Sequence, residues 1–277
     1  MRNNKSPVYL ARDAWLLMPW LAGFLLFYLV PLLMMPYYAV TQSAMNQTFV
    51  GMANFLRVWN NSYFRLAMKN TFLFATCAVP LSLLVALLLA LLLQWLRSGW
   101  YSPFVVPYFL PTVSVCPVFA ALLPTSSLGN GLFGGLESWV TVLLFYLWKY
   151  TGIEMMILLG GLSRIPGEVE EAAAMDGATA MQRLWHIHLP LLRPTLVFCI
   201  LFSLSNCMRI YRESYSLYGQ YPARCVYQLQ HYLYNHFIKL NYQYLSASAI
   251  SFLLLYFLMA ALPVWLEDRC NREVEGQ

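Results

Sequence analysis

Along this chain the apolar residues gather into long runs with few charges, separated by short polar stretches. A hydrocarbon core of about 30 Å takes about 20 helical residues to cross. Six stretches meet that length: 14–38, 71–93, 103–123, 139–162, 194–214 and 240–266. The alternative is a closed barrel, whose strands alternate apolar and polar positions over about 10 residues. The leucine-rich run from Leu81 to Leu93 shows no such alternation, so the backbone in lipid must satisfy its own polar groups as helix. The pattern predicts an all-α membrane protein with six transmembrane helices, one domain over 1–277, with the segment 163–193 between helices four and five as its main loop.

Two runs carry more detail. The third contains Pro103, Pro107, Pro111 and Pro117, each of which removes a backbone donor, so a broken or kinked helix is expected, as packing geometry or as a hinge. The first is uncharged from Ala14 to Tyr38. It exceeds the apolar region of about 7 to 15 residues in a signal peptide and lacks an A-x-A site, which predicts a retained anchor.

Composition agrees. The chain is 60% hydrophobic and 10% charged, whereas a soluble domain carries about 25% charged residues. The net charge of +5 suits anionic headgroups of a lipid bilayer; no basic run supports a nucleic-acid partner. The six cysteines lie far apart with no CxxC pair and read as packing residues rather than metal ligands. His186 and His188, two apart on a helix, diverge and do not suggest a metal site. No GxxxxGK[ST] is present, so no P-loop holds nucleotide, and any energy source lies in another protein. No HExxH or GxSxG points to an intramembrane enzyme.

Six spans place both termini and 163–193 on one side. That side has nine Lys and Arg (Arg2, Lys5, Arg12, Arg97, Arg164, Arg183, Arg193, Arg269, Arg272), against seven opposite (Arg57, Arg65, Lys69, Arg209, Arg212, Arg224, Lys239). The excess places the termini in the cytoplasm.

The loop between spans four and five begins Ile165-Pro166-Gly167-Glu168-Val169-Glu170-Glu171-Ala172-Ala173-Ala174-Met175-Asp176-Gly177. Pro166 suits a helix start, the glutamates favour the positive end of its dipole, the alanines propagate it and Gly177 stops it. A second helical stretch follows, with Met181, Leu184, Trp185 and His188 on one face, and Pro190 is expected to end it. The result is a short elbow with small residues at its tip and acidic ones beside them.

Glu171-Ala172-Ala173, then Gly177, then Ile187-x-Leu189-Pro190 resembles the full EAA signature of ABC-importer permeases, matching its spacing at each position. Wider similarity, through Asn70-Thr71, Trp148-Lys149, Gly161-Leu162, Ile165-Pro166 and Leu189 to Thr195, points to the carbohydrate-uptake branch of maltose- and glycerol-phosphate-type permeases. The resemblance implies a permease of the bacterial inner membrane that binds no cofactor itself. Cytoplasmic ABC ATPase subunits would use the ATP, a second homologous permease would complete the pore, and an extracellular binding protein would deliver a sugar or polyol. It implies that Glu170, Glu171, Ala172, Ala173, Asp176, Gly177, Ile187, Leu189 and Pro190 couple to the ATPase.

The chain departs from that branch in a short outer connection around Pro124 to Ser138, and in Leu217-Tyr218-Gly219-Gln220-Tyr221-Pro222 where the branch has a glycine-rich turn. It also carries ionisable residues in or near its spans, which cost about 2.5 to 3.5 kcal/mol each on insertion scales and normally pair or face water. Glu154, with Lys149, Trp148, Tyr150 and Arg209, is the candidate substrate path; the rival for Glu154 is an internal pair with Arg209 or Lys149. Arg212 and Glu213 are expected to snorkel to the interface. Trp139, Tyr146, Trp148 and Tyr150 are mostly assigned to an interfacial belt. The alternative function is an ion-coupled secondary transporter with Glu154 and Lys149 as its relay, which predicts uptake without an ATPase.

Overall fold

The computed structural model describes residues 15–43, 48–96, 99–122 and 136–275. The helices are α1 (Met18–Ala39), α2 (Ala53–Asn60), α3 (Ser62–Leu96), α4 (Ser102–Phe109), α5 (Thr112–Leu122), α6 (Leu136–Leu162), α7 (Gly167–Met175), α8 (Ala180–Arg183), α9 (Arg193–Met208), α10 (Tyr211–Tyr218), α11 (Leu229–Ile238) and α12 (Tyr242–Glu275). Among the described residues there is no strand, only a bridge between Thr41 and Phe49. Five helical segments are long and apolar enough to cross a membrane, and α4 with α5 makes a sixth if that bent pair is one span. The chain is a multi-pass, all-α membrane protein. Residues 1–14 and 123–135 lie outside the described residues, and with them most of the short outer connection.

The third span is broken, as its prolines predict: α4 and α5 meet at 109°. Pro111 crowds the backbone of the residue before it out of the helical region, and Leu110 accordingly sits at φ −70°, ψ 134°. The second begins at Ser62, ahead of the apolar run, so that Arg65 and Lys69 lie on its first turns; hydropathy marks where a helix is apolar, not where its hydrogen bonding starts.

The chain forms two compact units. In the first, residues 1–61 with 236–253, Asn54 donates to the carbonyls of Ala39 (2.9 Å) and Thr41 (2.8 Å), satisfying the end of α1. Trp59 donates to Ser251 on α12 at 3.3 Å.

In the second, residues 62–235 with 254–277, α3, α6 and α9 pack together. Ala86 and Ala90, one turn apart on α3, meet Met155, Leu158 and Leu162 of α6 and Leu192 and Cys199 at the base of α9. Small residues allow close approach where lipid removes any hydrophobic drive between helices. The closest approach is at Gly152 of α6, where a Cβ would overlap the carbonyl oxygen of Phe104 on α4. Gly152→Ala is therefore expected to cost about 1 to 3 kcal/mol by forcing backbone apart. Gly161→Ala should cost less, since its nearest obstacles are side-chain atoms, Leu192 Cδ2 at 2.7 Å and Thr195 Oγ1 at 2.9 Å. Comparing the melting temperatures of the two variants in detergent checks the ranking.

Candidate functional site

The elbow lies between α6 and α9. Pro166 caps α7 from an extended backbone (φ −62°, ψ 135°), and Glu168 and Glu170 occupy its first turn. At the other end Ala178 N–H donates to Ala173 O (2.9 Å) and Gly177 N–H to Ala174 O (3.1 Å). This pair of bonds is a Schellman closure, and it requires the left-handed residue that Gly177 supplies at φ 76°. Two residues later Thr179 starts α8 with a reciprocal capping box to Gln182. The corner is thus fixed by backbone chemistry within the Glu171–Gly177 stretch, while Glu171, Ala172, Ala174, Asp176 and Gly177 are exposed and Met175 is 89% exposed.

Contrary to expectation, Pro190 does not end the second stretch. A π-helical turn over Leu184–His188 precedes it, and helix resumes over Leu189–Leu191 with Pro190 in the first turn, where a missing N–H is tolerated. Ile187, Leu189 and Pro190 are half-buried in this joint. His188 also turns inward: its Nε2 is 3.0 Å from Glu170 Oε1, tying the second stretch to α7. A cavity of about 560 Å³ lies beside this contact, lined in part by Gln94, Trp95, Arg183 and Leu184. Met181 and Trp185, on the expected helical face, are each 62% exposed. Nothing in the residue spacing alone pairs His188 with Glu170, because they lie on different helices.

A second polar cluster lies toward the far end of the same bundle. Lys149 of α6 donates to Glu213 of α10 at 2.8 Å, and both side chains are buried. Thr112, the first residue of α5, joins them: it accepts from Lys149 and donates to Glu213 at 3.1 Å. Tyr150 reaches the same carboxylate oxygen at 3.5 Å. The expectation that Glu213 snorkels is overturned; it is 1% exposed and serves as the partner of Lys149. The ion pair fixes α6 to α10 beside the break between α4 and α5.

The expected partners of Glu154 are both committed elsewhere. Lys149 holds Glu213, and Arg209 donates to Asn206 Oδ1 at 2.7 Å. Glu154 is fully buried, and neither carboxylate oxygen has a hydrogen-bond partner. The Ser203 and Ser82 hydroxyls beside it bond to each other at 3.1 Å, and Ser203 also meets the Tyr146 hydroxyl at 2.7 Å. Tyr146 is thus a buried core group rather than part of an interfacial belt. Trp148 is partly exposed and packs on Phe119 (5.2 Å) and Phe145 (5.9 Å). Lys149 pairs with Glu213 rather than with Glu154. Among the described residues no group of His, Cys, Asp and Glu could hold a metal.

Beyond α10 the atypical turn has its own geometry. Gly219 adopts φ 75°, and side chains tie the segment that follows: Gln220 donates to Asn235 (2.9 Å), which donates to the Tyr227 hydroxyl (3.2 Å). Asn70 of α3 donates to the Arg224 and Tyr227 carbonyls, and Thr71 accepts from Leu229 N–H at 2.9 Å. Asn70 and Thr71 therefore anchor the turn. His231 at the start of α11 is buried against Tyr211, and burial pushes its pKa down to about 4, which keeps the ring neutral near pH 7.

Comparison with known proteins places this arrangement. The chain is 29% identical over 266 residues to the arabinooligosaccharides transport system permease protein AraP of Bacillus subtilis, covering 88% of this chain and 84% of that protein. It is 26% identical to the lactose transport system permease protein LacF of Rhizobium radiobacter, covering 84% of each. Its fold matches a crystal structure of a bacterial ABC transporter involved in the import of the acidic polysaccharide alginate, with a TM-score of 0.76, 21% identity and coverage of 94% of this chain and 96% of that one. Residues 78–272 match the family model of the binding-protein-dependent transport system inner membrane component. With its spans, its elbow and this match over most of its length, the chain belongs to that family and is a permease subunit of a binding-protein-dependent importer.

Proposed function

We propose that this permease imports a carbohydrate, forms its pore with a second homologous permease, receives its cargo from an extracellular binding protein, and is driven by ABC ATPase subunits that dock on the elbow. The carrying observation is the elbow itself: a corner locked by Gly177 and the Thr179 capping box, with exposed small and acidic residues at its tip. A partner that closes on ATP needs such a stiff lever, since a flexible loop would absorb the motion. On this reading Glu170, Glu171, Ala172, Ala173, Asp176 and Gly177 form the lever, and Ile187, Leu189 and Pro190 the joint that passes its tilt to α9. The elbow side and both termini then face the cytoplasm of a bacterial inner membrane, within one transmembrane domain. The carbohydrate class rests on the arabinooligosaccharide and lactose permeases among its relatives. Uptake into proteoliposomes holding this chain, its partner permease and the ATPases, with carbohydrate-loaded binding protein on the opposite face, is expected with ATP on the elbow side and not with a proton or sodium gradient alone. Gradient-driven uptake by this chain alone would replace the proposal with the ion-coupled one.

Glu154 belongs to the proposed path only in a state where α6 and α9 separate, because it is fully buried between them and α3 in this one. Glu154→Gln keeps the size and removes the charge. It is expected to leave assembly intact and to lower carbohydrate uptake several-fold. Uptake and assembly both unchanged would remove Glu154 from the transport path.

A further inference from the structure

In the span Arg193–Tyr218, Glu213 is neutralised by Lys149 of α6, whereas two arginines close to it are not neutralised in this way. Arg209 and Arg212 lie in the span Arg193–Tyr218, about 24 Å and 28 Å along it from Arg193 at 1.5 Å per residue. Both are exposed, and among the described residues neither has a carboxylate within salt-bridge distance. Their neighbour Glu213 is already taken by Lys149.

An arginine near the end of a span ordinarily snorkels outward. Arg209 does the reverse. Its guanidinium donates to Asn206, a buried residue three positions back toward the membrane centre. Asn206 thus holds one edge of the guanidinium and leaves the other donors of the fork free. Arg212 follows three positions later, across the turn that separates α9 from α10, and its backbone N–H donates to the Arg209 carbonyl at 3.4 Å. Tyr215, three further on, is also exposed. At this distance along a crossing of about 30 Å the two guanidiniums lie toward the outer interface, where they can meet water or an anion.

A neutral sugar is recognised by hydroxyl and amide hydrogen bonds and by aromatic faces, and needs no unpaired guanidinium. A carboxylate matches the arginine fork bidentately. We propose that the face carrying Arg209 and Arg212 binds the carboxylate groups of an acidic carbohydrate, so that the cargo is a uronate-containing oligosaccharide. Arg209, held by Asn206, is the specificity-determining residue, and Arg212 is a second contact. The inference rests on the carbohydrate reading above and narrows it.

The test is equilibrium dialysis of labelled digalacturonate and of the matched neutral disaccharide galactobiose against the detergent-purified complex of this chain with its partner permease and ATPases, without binding protein. The expected result is retention of digalacturonate over galactobiose, with Arg209→Gln weakening digalacturonate by about tenfold or more, Arg212→Gln weakening it less, and Arg209→Lys restoring part of the loss. Complex yield should be the same for all variants. Retention of galactobiose alone, or of both equally, overturns the inference and leaves the carbohydrate reading in place. Binding of neither overturns the inference, and only failed ATP-dependent uptake of neutral oligosaccharides as well would overturn the wider reading. Loss of the second permease from the Arg209→Gln complex also overturns it, because the guanidinium then pairs with that subunit rather than with cargo.

Discussion

Replacing Lys149 with Met is expected to destabilise the permease by about 3 to 5 kcal/mol, because it leaves the Glu213 carboxylate charged and buried without its cation. Glu213→Met should do the same from the other side, stranding an ammonium beside Phe145 and Tyr150. The double variant should recover most of the loss, since two apolar side chains of similar size leave no stranded charge and are often no worse than the pair they replace. Thermal unfolding in detergent, followed by the fraction remaining monodisperse, reads all three. Additive losses in the double variant would mean that the two residues act separately and that the 2.8 Å contact is not what holds α6 to α10. Because Thr112 joins the pair at the start of α5, the double variant should also loosen the α4–α5 break, and a changed uptake rate in a stable double variant is the expected sign.

The elbow carries the other large effect. Gly177→Val places a β-branched residue at φ 76°, where the left-handed conformation costs a non-glycine residue about 1 to 2 kcal/mol, and the Schellman closure should give way. Glu171→Ala removes an exposed charge from the tip without altering that closure. Combined, the two changes are expected to abolish ATP-driven uptake, with the ATPase lost on affinity purification, while the melting temperature of the permease alone shifts by only a few degrees. Retention of the ATPase with full uptake would show that the Glu171–Gly177 stretch does not couple the two subunits.

Much of this architecture is legible in the residues. Spans 139–162 and 194–214 fall close to α6 and to α9 with α10 because a lipid-crossing helix is written as a continuous apolar run. The helix break at Pro111 is equally readable, since proline acts on its immediate neighbour whatever the fold. The elbow is legible for the same reason: its caps, its acidic first turn and its glycine are local chemistry. Pairings across the bundle are not. Glu213 and Lys149 are 64 positions apart, and no periodicity says which of several cations it meets. The expectation that Glu213 snorkels treated its place near the end of a run as decisive, whereas the break between α4 and α5 brings Thr112 and α6 alongside and buries it. Pro190 misled in the opposite direction, because a π turn over Leu184–His188 accommodates a residue that would otherwise stop a helix. Hydrophobicity locates a membrane helix, but whether a charged side chain is buried depends on what packs beside it.

If an ATP-driven partner engages this permease at the elbow, a photoreactive group at the elbow tip should capture that partner. Met175, 89% exposed at the elbow tip, is replaced by photoreactive benzoylphenylalanine, and Tyr221, 66% exposed beyond the far end of α10, serves as the control; both are irradiated in membranes holding the whole transport system. A covalent adduct between this chain and an ATP-binding subunit from Met175, and none from Tyr221, is the predicted result. No ATPase adduct from Met175, or equal adducts from both positions, would contradict it.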